Sequence, residues 1–142
     1  MAGSTVRRIV PASPEAVFAT FTEPDQIRQW HAPGPDFTVP VAEFDARVGG
    51  RFRIAMQPPD RAEPYTFGGE CREVKPGERL VYTSRWEPPE DPAESRVTID
   101  LRREGEGTEV VVAQDGLPDE ESAEAHTQGW TGSLEELNRF FA

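Results

Sequence analysis

The chain has 142 residues, enough for one domain with a real core, taken as 1–142. Its net charge of −11 excludes the basic face that nucleic acid demands and gives no attraction to anionic membranes. No secretory leader or bilayer-length apolar run is seen, and the lone Cys71 has no internal disulfide partner, so a reducing cytoplasm is expected.

Residues 6–10 read as a short strand ended by Pro11. Ser13-Pro14-Glu15 is an N-cap followed by proline at the first helical position, and Val17, Phe18 and Phe21 give a short amphipathic helix. Pro24 breaks it and starts a second, residues 25–30, that presents Ile27 and Trp30. The period then changes to two. Residues 37–45 form a strand that Pro40 places at an edge or a bulge. Arg47-Val48-Gly49-Gly50 turns the chain into residues 51–56, where Phe52, Ile54 and Met56 share a face and Arg51 and Arg53 point outward. A proline-rich loop, 58–64, leads to a strand at 65–74, in which Glu70 and Glu73 read as solvated and Cys71 as a small buried apolar residue. Lys75-Pro76-Gly77-Glu78 turns into residues 80–86, with Leu80, Tyr82, Ser84 and Trp86 on one face. The acidic loop 87–94 reads as mobile. Residues 95–103 place Val97, Ile99 and Leu101 inward, and Gly105-Glu106-Gly107 makes a hairpin into a strand at 108–114.

Residues 119–141 form the element around which the rest is arranged, a helix of about 23 residues and roughly 34 Å. Asp119 is its N-cap, and Glu120, Glu121 and Glu124 lie where the macrodipole favours negative charge. At ~100° per residue, His126, Gly129, Trp130, Ser133, Leu134, Leu137, Phe140 and Phe141 fall within an arc of about 140°. Burying its five large apolar side chains contributes roughly 8–15 kcal/mol gross, so the domain is not expected to fold without this helix. Gly129 and Ser133, with His126 between them, admit two readings. Either Gly129 accommodates a bulky neighbour and Ser133 bonds back one turn, or this flank roofs a cavity.

Short connections favour antiparallel neighbours, and one face of the resulting sheet needs a cover that only the last helix is broad enough to supply. The fold class is α+β, with six to seven antiparallel strands curved around the C-terminal helix and two short helices after the first strand. Such a sheet leaves space under the helix, and that space is expected to be largely apolar.

The stretches Pro14-Glu15-Ala16-Val17-Phe18, Asp25-Gln26-Ile27-Arg28-Gln29-Trp30, Asp45-Ala46-Arg47-Val48-Gly49-Gly50-Arg51-Phe52, Pro76-Gly77-Glu78-Arg79-Leu80-Val81-Tyr82-Thr83 and Gly129-Trp130-Thr131-Gly132-Ser133-Leu134 occur in one order across nearly the whole chain. In them the chain resembles the SRPBCC superfamily of START-like, Bet v 1-like helix-grip proteins. Within it, the chain looks most like the branch related to the C-terminal domain of the activator of heat-shock protein 90 ATPase and to polyketide cyclases. The resemblance implies the helix-grip fold. It leaves function open, because the fold hosts ligand carriers, cyclases and co-chaperone domains alike. It also implies an aromatic residue after Trp30, where this chain has His31.

Binding of a small hydrophobic or lipid-like molecule is the leading expectation. Its cavity-lining candidates are Trp30, His31, Phe52, Ile54, Met56, Phe67, Tyr82, Trp86, His126, Gly129, Trp130 and Ser133. His126 is the inward polar group, whereas His31, at a helix end, reads as an exposed turn residue. A cyclase- or dehydratase-like enzyme with His126 as base is the alternative, and a co-chaperone-like domain that contacts a chaperone is a third. The resemblance also suggests pairing of two protomers. No catalytic residue is assigned, and no metal, cofactor, nucleic acid or membrane insertion is expected, since no phosphate loop, nucleophile elbow or zinc-binding histidine pair is present.

Overall fold

The computed structural model describes residues 2–88, 90 and 93–142. Among them, β1 (Ala2–Val10), β2 (Thr38–Phe44), β3 (Arg51–Gln57), β4 (Tyr65–Lys75), β5 (Arg79–Trp86), β6 (Ser95–Glu104) and β7 (Gly107–Leu117) form one sheet in the order β1-β7-β6-β5-β4-β3-β2. Every neighbouring pair is antiparallel, as the short connections dictate. The crossover from β1 to β2 carries α1 (Pro14–Thr22) and α2 (Pro24–Trp30), and the chain ends in α3 (Glu120–Phe141).

Pro40 sits where a missing donor does least harm. β2 is an edge strand, and its register with β3 slips between Thr38 and Val41. Two strands run longer than their apolar pattern shows. β1 begins at Ala2 and β7 continues to Leu117 because these polar, glycine-bearing ends pair with each other, Ala2 opposite Leu117. Of the acidic loop 87–94, Pro89, Asp91 and Pro92 lie outside the described residues.

The sheet curves at β4. A Cβ at Gly69 would stand 1.9 Å from the Thr83 carbonyl oxygen, and one at Gly68 would stand 2.5 Å from that of Phe52. Neighbouring backbones approach there as no side chain would allow, and the β4–β5 register slips by one residue between Cys71 and Glu73. Arg53 points outward onto Glu87, and Glu70 and Glu73 pair with surface cations.

Capping fixes where the helices start. Ser13 Oγ accepts from the Ala16 amide at 3.1 Å, and an Asp119 carboxylate oxygen accepts from the Ser122 amide at 2.8 Å. α3 packs on β1, β7 and α2, with Leu134 and Leu137 almost wholly buried. Phe140 and Phe141 are only half-buried and pack on each other, so the apolar arc loosens at its C-terminal end.

Candidate functional site

The groove between sheet and α3 is filled at one end and open at the other. Phe52, Ile54, Leu80, Ile99, Val110 and Val112 pack with Leu134 and Leu137 into continuous core. Towards the other end, Met56, Tyr65, Phe67, Tyr82, Ser84, Trp86, Val97 and Gln114 stand on the sheet, and Ala125, His126, Gly129, Trp130 and Ser133 face them across a space. His31, Pro33 and Phe37, from the segment after α2, close one side and Glu90 stands at another. The cavity, open to one side, measures about 400 Å³ and its walls are overwhelmingly apolar.

Its walls are tied together by aromatic contacts. Trp130 meets His31 at 5.7 Å between ring centroids, His31 meets Phe67 at 5.8 Å, Phe67 meets Trp86 at 5.3 Å and Trp86 meets His126 at 6.1 Å. Trp130 and His126 lie one turn apart on α3, so the helix closes the loop of rings.

The polar groups are few and mostly committed. Trp130 Nε1 donates to Gln114 Oε1 at 2.9 Å, Gln114 Nε2 donates to Ser95 Oγ at 2.8 Å, and Ser95 Oγ donates to the Ser84 carbonyl at 3.3 Å. An indole N–H can only donate, so this relay settles which end of the Gln114 amide meets Trp130. His126 Nδ1 lies 2.8 Å from the Ser122 carbonyl oxygen, which sets the ring as a donor at Nδ1 and leaves Nε2 as the nitrogen that can take a further hydrogen bond. His31 is different. It is 4% exposed, its Nδ1 is sealed from solvent without a hydrogen-bond partner, and burial lowers its pKa to about 4, so the imidazole is neutral near pH 7. Burial likewise holds the Tyr82 phenol protonated, well above its ordinary titration range. At the rim, the Arg61 guanidinium lies 3.9 Å above the Tyr65 ring and pairs with Glu90 at 3.0 Å. Among the described residues, no three potential metal ligands of the His, Cys, Asp or Glu types are grouped, and no helix is long and apolar enough to cross a membrane.

The family model for activator of Hsp90 ATPase homolog 1-like proteins matches residues 11–142. The chain belongs to this family. A solved protein of Chromobacterium violaceum is 32% identical over 98% of this chain and 96% of that one, with a TM-score of 0.88. A member from Silicibacter pomeroyi is 26% identical over 97% of this chain and 96% of that one, with a TM-score of 0.85. No curated protein matches the sequence. The family places the chain in the START-like helix-grip superfamily, and its seven-stranded sheet and long last helix agree with that fold.

Within this helix-grip frame, nine of the twelve residues singled out from the sequence border the cavity: His31, Met56, Phe67, Tyr82, Trp86, His126, Gly129, Trp130 and Ser133. Trp30, Phe52 and Ile54 do not. Trp30 lies between the two short helices, its Nε1 donating to the Thr20 carbonyl at 2.8 Å and its ring edge-on to Phe21. Phe52 and Ile54 share the face of Met56 but stand further along β3, in the filled end of the groove. The exposed-turn reading of His31 is overturned, because α3 presses on the segment after α2. A Cβ at Gly132 would stand 2.2 Å from the Pro33 carbonyl oxygen, a closeness that buries the neighbouring ring.

Pro33, Phe37, Tyr65, Ser84, Glu90, Val97, Gln114 and Ala125 complete the wall. Gln114 carried a usable signal, since it continues the inward alternation of Val110 and Val112 as a polar residue on an apolar face. Glu90 carried none. Its loop has no periodicity to say which side chain turns towards the sheet.

Proposed function

We propose that this domain binds a small, largely hydrophobic molecule between its sheet and its C-terminal helix. One observation supports the reading above the rest: a cavity of about 400 Å³, walled by aromatic rings, in the half of the groove where α3 places the small Ala125, Gly129 and Ser133 beside His126 and Trp130. A core built only for stability would be filled there, because interiors pack to crystal-like density. Trp130, Trp86, Phe67 and Tyr82 supply the apolar area, while Gln114, His126 and Ser133 are available to a polar end of the ligand.

Native mass spectrometry of protein isolated from its source tests this, with Gly129→Leu as control. A Cβ at Gly129 meets no atom within 4 Å, so the leucine enters the cavity without displacing backbone. One bound small molecule per chain is expected in the wild type and none in the variant. Bare protein in both, or a passenger that survives the substitution, would contradict the reading.

A further inference from the structure

The polar groups of the cavity differ in what can complete them. Leu80, Tyr82, Ser84 and Trp86 alternate along β5; Leu80 belongs to the filled core and the other three border the cavity. Tyr82 is therefore where the hollow begins, its ring 4.7 Å from that of Phe52. Trp86 stands about 13 Å further out along the strand, towards the Glu90 rim. Among the described residues the Tyr82 hydroxyl has no hydrogen-bond partner, yet it is not sealed in the packing; the atoms in that condition are Arg8 Nε and His31 Nδ1. Tyr82 is 2% exposed and borders the cavity, so the space its hydroxyl meets is the cavity. Level with it on the next two strands stand Val97 and Gln114, and the buried Gln114 amide keeps one N–H beyond its bond to Ser95. The outer half is arranged otherwise. The Glu90 carboxylate is paired with Arg61, and the half-buried His126 is open to water.

We infer that the occupant enters with its polar end first, and that Tyr82 is the specificity-determining residue, its hydroxyl donating to an oxygen or nitrogen acceptor on that leading end. This orientation presupposes the binding reading above and gives the bound molecule a direction, which a volume and apolar walls do not. A molecule seated the other way round, polar end at the mouth, would press hydrocarbon against the Tyr82 hydroxyl and leave it without a partner, a costly state for a buried group. It would gain little in exchange, because the charged groups at the rim already hold each other and water serves the rest. Seated polar end inward, the molecule completes the hydroxyl and places its apolar remainder along Phe67 and Trp86. Burial keeps the phenol protonated, so the proton it offers is present throughout the neutral range.

Two probes of one shape test this, 2-acetylnaphthalene and 2-isopropenylnaphthalene, which differ only in a carbonyl oxygen against a methylene. Each is titrated into the wild type and Tyr82→Phe, a substitution that keeps the ring and removes the hydroxyl. The variant is expected to bind 2-acetylnaphthalene about tenfold more weakly and 2-isopropenylnaphthalene within about twofold of the wild type. In the wild-type complex, nuclear Overhauser contacts are expected from the acetyl methyl group to the Val97 methyls, and from the far ring to Trp86. A variant that weakens both probes alike, or neither, would overturn the inference, as would acetyl contacts to Trp86 in place of Val97 or binding of the alkene alone. The contacts are read on the wild type, so they decide the orientation even where a melting temperature shows that Tyr82→Phe does not fold. Failure of both probes to bind the wild type would instead overturn the binding reading, and this inference with it.

Discussion

His31 sets the behaviour of this protein at the scale of single residues. The unfolded chain takes up its proton near the ordinary value of 6.5, whereas the folded protein holds the ring neutral down to about 4. Between these values the unfolded state binds more protons, so the contribution of the neutral ring is complete above pH 6.5 and is lost as pH falls towards 4. At ~1.36 kcal/mol per unit, the loss is roughly 3 kcal/mol. Urea unfolding of the wild type and His31→Phe at a series of pH values isolates it, because all other titrating groups are common to both proteins. The variant is expected to gain on the wild type by about that amount from pH 7 to pH 4. A stability difference that stays flat over this range would show that His31 is not held neutral by burial. The position was misread from the sequence for a physical reason. A helix end followed by Ala-Pro-Gly-Pro looks solvated, and residues distant in sequence, Phe67 of β4 and Trp130 of α3, enclose it as α3 packs on Pro33.

At the scale of elements, α3 contains two glycines with opposite duties. Gly132 lets the helix approach the segment after α2, where a Cβ would stand 2.2 Å from the Pro33 carbonyl oxygen. Gly129 faces open space. Gly129→Ala is therefore expected to stabilise the fold by about 0.5–1 kcal/mol through helix propensity alone. Gly132→Ala is expected to destabilise it by roughly 1–3 kcal/mol, since backbone must move to admit the methyl group. Thermal unfolding of the two variants would show shifts of opposite sign, and a stabilising Gly132→Ala would mean that α3 does not press on Pro33. The amphipathic arc made the helix, its Asp119 cap and its buried Trp130, Leu134 and Leu137 legible from the sequence. The arc could not say which glycine touches backbone and which borders a void. The two share a composition and differ only in what stands across from them. Strand ends were hidden similarly: Ala2 and Leu117 extend β1 and β7 by pairing with each other, a non-local interaction without a local pattern.

At the scale of the molecule, the groove between sheet and helix is packed at one end and hollow at the other. The alternation of Phe52, Ile54 and Met56 places all three on the inner face, but their distance along β3 decides whether they meet Leu134 or empty space. That distance depends on how far the sheet bends at Gly68 and Gly69, which the two-residue period does not contain. Charge acts at this scale as well. A net charge of −11 surrounds a cavity whose walls, among the described residues, are overwhelmingly apolar.

The central claim is that the hollow end of the groove is where the protein binds, and resonance-by-resonance NMR titration with 2-naphthol tests it most directly. The Trp130 and Trp86 indole signals and the amides of His126, Gly129 and Ser133 are expected to shift together and saturate with one equivalent bound. Shifts confined to the surface around Ile9 or Val48, the large hydrophobic residues exposed at 57% and 70%, would contradict the claim, as would a spectrum that does not change.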